Sequence, residues 1–510
     1  MDIEVLFAQP FGTLPDLFRA QAEARPRHIA LIDPAGDISY GNADAVIDRV
    51  AAALQRDGFK DSDVAAICAS SSIPYALVFL GVLRAGGTVA PLAPSATAAS
   101  LADMVRDSGA QFLFLDRDVA ASLAPVVERL PARRIALDGS DAGVAFEAWL
   151  APAGAQPQAV TADPGRAFNI IYSSGTTGTP KGIVQPNSLR WAQFRRILYT
   201  QDAVTMISTP LYSNTTLVSF LPTLANGGTV VLLPKFDAET FLRLAALHRV
   251  THAMLVPVQY RRLMQQPDFD SYDLSAFQMK FCTSAPFAGD LKAEVVRRWP
   301  GGLVEFYGMT EGGGSCALEA HAYPAKLGTV GRPMEGHDIR LIDDAGREVP
   351  AGEAGEIVGR SPAMMIGYHN RPEATRDAEW WSPAGERFIR TGDIGRFDAD
   401  GFLTLIDRKK DMIISGGFNI YPSDLEAELL AHTDVEEAAV FGVPSDAWGE
   451  TPVAAVVLRP AALVDGETLR EWVNQRVGKT QRLAAVRVTE ALPRSAIGKV
   501  LKRELRALVG

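Results

Sequence analysis

The sequence predicts an α/β protein: a large N-terminal domain of mixed and parallel sheets flanked by helices, a β-barrel-like subdomain, and a small α+β C-terminal domain. Three observations carry that expectation. Amphipathic helical segments alternate with short apolar strands through the first third, the pattern of a mostly parallel sheet with covered faces. From Thr329 to Tyr368 the chain turns β-rich, with frequent glycines. The last hundred residues carry strands and helices of their own, beginning at Met412-Ile413-Ile414.

Taken in order, Leu17 to Ala24 reads as a short amphipathic helix and Ala43 to Gly58 as a longer one ending at glycine. Val64 to Cys68 is an apolar strand, Tyr75 to Ala85 a helix stopped by Gly86-Gly87, and Val89 to Leu92 a strand again. The Ala-, Pro- and Gly-rich stretch from Ala151 to Arg166 is a connector. The pattern restarts at Phe168 to Tyr172, and further strands fall near Thr229–Leu233, Ala253–Val256 and Lys280–Thr283. In the C-terminal part a helix is expected from Pro422 to His432, strands near Glu437–Val443 and Val453–Leu458, and a helix from Thr468 to Val477.

The chain has 510 residues, 47% apolar and 22% charged, with a net charge of −10. This is the composition of a soluble globular protein of several folding units. No basic tail or Lys/Arg block is present, which speaks against nucleic acid as a partner. Cys68, Cys282 and Cys316 are far apart and form no CxxC pair, which fits a reducing, cytoplasmic compartment. The acidic start Met1-Asp2-Ile3-Glu4 is unlike a signal peptide, and no uncharged apolar run approaches a membrane span.

The most informative stretch is Ser173-Ser174-Gly175-Thr176-Thr177-Gly178-Thr179-Pro180-Lys181-Gly182, at the end of a predicted strand. Glycines let the backbone approach a phosphate and point its N–H groups inward. The hydroxyls add donors and Lys181 adds a cation, so the loop can hold the β- and γ-phosphates of ATP. It is not a Walker A loop, because Pro180 precedes the lysine and Gly182 follows it. The run closely resembles the phosphate loop of the adenylate-forming superfamily: acyl-CoA ligases, luciferases and peptide-synthetase adenylation domains.

The remaining motifs stand in the order which that resemblance implies. Tyr307-Gly308-Met309-Thr310-Glu311 is similar to the aromatic-Gly-x-Thr-Glu motif: Tyr307 stacks on adenine, Thr310 contacts the α-phosphate and Glu311 helps hold Mg²⁺. Thr391-Gly392-Asp393 with Asp407-Arg408 resembles the ribose clamp, Asp393 accepting from the vicinal hydroxyls and Arg408 adding a charge-assisted donor. Asp407 to Asp411 resembles the hinge region, with Lys410 as the pivot. The implied division is therefore an ATP- and acid-binding domain over 1–407, a hinge over 408–410 and a mobile lid over 411–510. Ser415-Gly416-Gly417 resembles the glycine turn that lines the pantetheine tunnel, and Trp448 matches a tryptophan that stacks on the adenine of coenzyme A. Pro493-Arg494-Ser495-Ala496-Ile497-Gly498-Lys499 is similar to the C-terminal motif whose lysine, here Lys499, acts in adenylation.

By the same resemblance the acyl pocket draws on Tyr212, Ser213, Thr283, Ser284, Ala285 and Gly312. From Thr209 to Thr223 there is no charged residue, so the lining favours a neutral tail: aromatic, phenylpropanoid or aliphatic. Ser213 stands where many relatives have histidine. Thr283 stands where glycine is common and should narrow the pocket, while Gly312-Gly313-Gly314 should widen it. Thr480-Gln481-Arg482-Leu483-Ala484 replaces an aromatic-Lys-x-Pro-Lys element of the coenzyme A site, which leaves room for another thiol. The implied activity is ATP-dependent carboxylic acid–CoA ligation with ATP, Mg²⁺ and coenzyme A. A protein acetyltransferase acting on Lys499 and a second copy of the chain in a homodimer are the implied protein partners. The alternatives are a medium- or long-chain fatty-acid ligase, a free-standing adenylation enzyme that loads a carrier protein and, outside enzymes, a nucleotide-binding sensor.

Overall fold

The computed structural model describes residues 3–130, 133–173, 180–196, 198–409, 411–415, 418–445, 448–478, 481–495 and 498–509. The chain forms two compact units. The first comprises Met1–Leu327, Pro333–Asp338 and Arg360–Ile389; the second comprises Gly328–Arg332, Ile339–Gly359 and Arg390–Gly510. The elements that build the site are strands β1 (Ala167–Tyr172) and β2 (Gly182–Pro186), helices α1 (Asn187–Phe194) and α2 (Asn214–Ala225), and strands β3 (His252–Leu255), β4 (Met279–Cys282), β5 (Gly302–Gly308), β6 (Ser315–Glu319), β7 (Gly367–Tyr368), β8 (Arg387–Phe397) and β9 (Leu403–Arg408).

In the first unit one sheet runs Gly36–Ser39, Ile29–Asp33, Thr229–Leu232, Val204–Ile207, β3, β4, β5, β6. Its interior pairings are parallel and its flanking ones antiparallel. The other runs β7, β2, β1, Thr88–Pro91, Val64–Cys68, Phe112–Leu115, Arg133–Ala136, Val144–Ala145. The inner strands are buried along their length, as strands covered on both faces must be. A single apolar cluster takes Phe168 from β1, Leu217, Phe220 and Leu224 from α2, Val230 and Leu232 from the first sheet, and side chains of the helices Tyr40–Arg56 and Ile73–Arg84. The two sheets therefore share one core, with α2 inside it.

Helix starts lie earlier than apolar periodicity predicts, because caps set them. Thr13 accepts from Asp16 N at 3.2 Å, so the first long helix begins at Leu14, with Pro15 tolerated in its first turn. Ser39 and Ser72 cap the next two in the same way. One strand changes place: Gly367–Tyr368, expected to close the β-rich barrel segment, instead pairs with β2 in the second sheet.

In the second unit, the later part of β8 pairs with β9. The C-terminal sheet runs Phe418–Ile420, Ile413–Ser415, Gly449–Leu458, Val435–Ser445, with the parallel strand Ala485–Val488 on Gly449–Leu458. Alternation sends Val440, Ala454 and Val456 into one cluster with Leu425, Leu429, Leu469 and Val473, and Phe441, Val453 and Ala455 into another with Leu492 and Leu505. Both faces are covered, as an α+β layer requires. Among the described residues no helix is long and apolar enough to cross a membrane, and all three cysteines are buried and unbridged.

His252 on β3 lies in the core of the first unit, 5.2 Å from the Tyr199 ring and 6.2 Å from that of Phe281, with Thr251 Oγ1 2.7 Å from its Nδ1. Burial holds its pKa down at about 4, against an ordinary 6.5. The folded imidazole stays neutral where the unfolded one protonates. The resulting stability is present above pH 6.5 and is lost as pH falls from 6.5 towards 4, by about 3 kcal/mol in full. Denaturant unfolding of the first unit should weaken by that order between pH 7.5 and 4. His252→Gln, although less stable at neutral pH, should show a visibly flatter pH dependence.

Candidate active site

Strands β1 and β2 form a hairpin with Tyr172 opposite Gly182. Its neck is closed by Ser173 N donating to Lys181 O at 3.0 Å and Lys181 N approaching Ser173 Oγ at 3.4 Å. Ser174, Gly175, Thr176, Thr177 and Gly178, predicted to bind ATP, lie outside the described residues; Ser173 and Lys181 hold the two ends of their loop. Tyr172 donates to Asp107 at 2.8 Å, and Asp107 also meets Arg371, just past β7, at 3.5 Å.

The register of β7 on β2 sets Tyr368 opposite Ile183. The Lys181 ammonium consequently stands 5.0 Å above the Tyr368 ring, and the Tyr368 hydroxyl donates to Glu311 Oε1 at 2.8 Å. Burial first, then the Glu311 charge, push the Tyr368 phenol well up, so it stays protonated as a donor. Two residues predicted from separate motifs, Lys181 and Glu311, are thus joined through an aromatic ring that in the sequence merely ends the β-rich stretch from Thr329 to Tyr368.

Tyr307 and Gly308 end β5, opposite Cys316 and Ser315 of β6. The turn between them is held by 361–365: Met365 N donates to Glu311 O at 2.8 Å and Ser361 Oγ to Gly312 O at 2.7 Å. Gly312 has φ +75°, and a Cβ there would fall 1.8 Å from Ala363 O. The widening expected at this glycine is therefore not open space, since Ala363 fills it; glycine is needed for a left-handed backbone and a close approach. Thr310 O accepts from Gln185 Nε2 at 2.7 Å.

The predicted acyl-pocket segments meet around the start of α2. Ser213 is buried just ahead of the helix, Tyr212 is half-buried with its phenol pushed up by burial, and Thr283, Ser284 and Ala285 are half-buried after β4. Thr215 Oγ1 lies 2.5 Å from Ser284 Oγ, and Ser284 has φ +83°. From Ser213 to Ala225 only Asn214 and Val218 are not buried; four residues apart, they share one helix face. On the sheet, Phe306, Ser315 and Ala317 are partly exposed between buried neighbours and Gly308 is exposed, and the register puts all four on one face. The helix stripe and the sheet face carry no charged side chain and meet on one apolar cluster, and the space between them is the candidate acyl cleft; at Ser315 its edge meets His337, whose Nδ1 accepts from Ser315 N at 2.8 Å and whose Nε2 lies 2.9 Å from Arg196 Nη2. The lower wall of the cleft is apolar: Phe306 lies 5.7 Å from Phe281, and Val218 and Ala317 pack on the same cluster with Tyr199.

In the second unit, β8 and β9 align Asp393 with Arg408, whose Nε reaches Asp393 Oδ1 at 3.1 Å. Ser415 is buried and paired with Gly449, next to Trp448, whose side chain is 59% exposed. Lys499 closes a turn in which Ser495 N donates to Lys499 O at 2.8 Å and Lys499 N approaches Ser495 Oγ at 3.2 Å. Arg494 braces it, donating to Gly498 O at 2.8 Å and meeting Glu437 at 3.0 Å. Lys410, Gly416 and Gly417 lie outside the described residues.

Among the described residues no group of three His, Cys, Asp or Glu could hold a metal. Glu311 nonetheless fits Mg²⁺, which takes one or two carboxylates and completes its shell with water and substrate phosphate oxygens.

Residues 18–369 match the AMP-binding enzyme family and 424–499 its C-terminal domain. A 4-coumarate–CoA ligase-like protein of Oryza sativa subsp. japonica is 34% identical, covering 98% of this chain and 93% of its own. A feruloyl-CoA synthase of an Amycolatopsis species is 33% identical, covering 96% and 98%. ATP-bound MatB from Rhodopseudomonas palustris superposes with a TM-score of 0.86 at 29% identity, over 97% of this chain and 98% of that one. Family matches to both parts of the chain, and full-length relatives above 30% identity, make one statement secure: this chain belongs to the AMP-binding enzymes, the adenylate-forming acid–thiol ligase family.

Proposed function

We propose that the protein activates a monocarboxylic acid with an uncharged, aromatic tail as its acyl-adenylate, releasing pyrophosphate, and then transfers the acyl group to coenzyme A with release of AMP. The observation that carries this reading is the gathering of Lys181, Tyr368 and Glu311 at the neck of the glycine hairpin, beside the candidate acyl cleft. A carboxylate attacking the α-phosphate brings two anions together. Cations and fixed donors must supply the stabilisation. Lys181 is such a cation, the amides of the glycine loop such donors, and Thr310 a third contact, its main chain tied by Gln185. Mg²⁺ bound at Glu311 would neutralise phosphate charge. Asp393 and Arg408 would grip the ribose.

Lys499 would complete adenylation. Rotation about Lys410 would then withdraw it and bring Ser415, Gly416, Gly417 and Trp448 to the thiol step. Acetylation of Lys499 would remove the charge that the first step needs.

The cleft supports the choice of acid. No charge lies between Thr209 and Thr223, so a second carboxylate or an α-amino group would lose its water without gaining a counter-ion. Phe306, partly exposed and backed by the buried Phe281, offers a ring face to an aromatic tail. This observation favours aromatic acids over the fatty-acid alternative.

Lys499→Ala should cut adenylate formation from acid and ATP by about 100-fold or more while thioester formation from preformed acyl-adenylate persists. Equal loss in both half-reactions would exclude two working orientations. Lys410→Pro should give the reverse selectivity, because proline fixes φ and resists the hinge motion; wild-type rates in both steps would remove Lys410 as pivot.

Comparing kcat/KM for benzoate, cinnamate-type acids, hexanoate, malonate and amino acids tests the acid itself. Aromatic monocarboxylates should lead. Phe306→Ala should shift preference towards hexanoate by about tenfold, the worth of one or two buried methylenes. If malonate or an amino acid leads, the neutral-cleft reading is wrong.

A further inference from the structure

Arg190 on α1 is fully buried. Its guanidinium carries five donors and a charge that burial does not readily remove. Here it meets only neutral oxygens. Nε and Nη2 reach Asn169 Oδ1 at 3.3 and 3.0 Å, and Nη1 reaches Gln193 Oε1 at 2.9 Å. Nη2 also donates to Gln185 Oε1 at 2.5 Å and to Asn214 Oδ1 at 2.9 Å. The plane lies over Phe168, 5.5 Å from its centroid. Among the described residues no carboxylate pairs with it.

This cation dictates how two amides stand. Gln185 turns Oε1 to Arg190, so its Nε2 faces outward and donates to Thr310 O at 2.7 Å and, more weakly, to Asn214 Oδ1 at 3.4 Å. Asn214 must turn Oδ1 to Arg190 and Gln185, because a flipped amide would set donor against donor. Its Nδ2 is thereby turned away from the hub. Asn214 shares with Val218 the one open stripe of α2, so the open part of Asn214 is its N–H₂ end.

We propose that Asn214 is a specificity-determining residue, its Nδ2 donating a hydrogen bond to an oxygen of the bound acid, and that Arg190 is the positioning residue that fixes this donor. The proposal rests on the acid-activating reading above. The recognised chemistry is an oxygen lone pair: a carboxyl oxygen of the acid, or a hydroxyl, alkoxy or carbonyl oxygen on its tail. Arg190 thus aligns two things with one charge, the main chain of Thr310 and the donor in the cleft.

Asn214→Asp separates positioning from folding. It keeps an oxygen for Arg190, gives that cation a counter-charge and removes the N–H donor. Its melting temperature should hold or rise. Meanwhile kcat/KM for the acid, read by pyrophosphate release, should fall about 10- to 100-fold, the worth of one donor to a polar or charged oxygen. The KM for ATP should stay within about twofold. Equal loss with benzoate and with hydroxy- or alkoxybenzoates identifies the carboxyl oxygen; loss confined to the oxygenated acids identifies the tail. Arg190→Lys, which keeps the charge but not the fork, should retain adenylation with a raised KM for the acid. Wild-type kcat/KM in Asn214→Asp for every acid would overturn the proposal alone. Failure of the unsubstituted protein to release pyrophosphate with any acid would instead overturn the reading beneath it.

Discussion

Strand β7 is only two residues long, yet its pairing with β2 assembles the candidate site. It sets Tyr368 against the strand that follows the glycine loop, so one phenol lies under Lys181 and reaches Glu311. The clamp of residues 361–365 on the turn after β5 continues the same chain segment. Three distant stretches, near 181, 311 and 368, are held by one run of backbone pairing. A register slip of one residue would turn Tyr368 to the opposite face and part Lys181 from Glu311 together.

The core behind this assembly is not purely apolar. Arg190 sits at its centre with amide partners only. Lys280 on β4 is likewise fully buried and donates to the carbonyls of Trp299, Pro300 and Gly301. Burial lowers both, Arg190 to about 9 and Lys280 to about 7. Buried charges without counter-ions cost several kcal/mol unless hydrogen bonds replace their water. Lys280 fastens the loop after a helix end, a structural role. Arg190 touches strand β1, strand β2 and helix α2 at once, which no apolar side chain of its size could do with fixed direction.

What the sequence made legible were stretches whose chemistry is local. The Tyr307–Glu311 run and the turn at Lys499 are read from consecutive residues, and Asp393 and Arg408 from two short motifs that the β8–β9 register aligns. Strands such as Val64–Cys68 were read from apolar runs, because burial on both faces leaves no alternation to misread. What escaped were features made by distant pairing. Tyr368 is an ordinary aromatic after a glycine until β7 finds β2. Gln185 and Asn169 are polar residues on opposed strands, and nothing local says that they face each other. Arg190 follows a leucine and precedes a tryptophan; it lies on the buried side of α1 with Leu189, Trp191 and Phe194, where nothing local predicts a guanidinium. Ser284 shows no sign in sequence of its left-handed backbone or of its contact with Thr215. The strand Ala485–Val488 is too short and too exposed to announce itself.

The residue at 214 shows how stability and recognition pull apart. An aspartate there would neutralise Arg190 and relieve the cost of an unpaired buried cation. It would also present only acceptors to the cleft, and an acid's oxygen would meet lone pairs instead of a donor. An asparagine leaves the cation without a counter-charge but keeps one oxygen for it and one N–H₂ for the ligand. Leucine would satisfy the cleft's apolar wall and leave both Arg190 and Gln185 short of an acceptor. Of the side chains that fit this place on α2, the carboxamide alone serves the buried hub and the open stripe together.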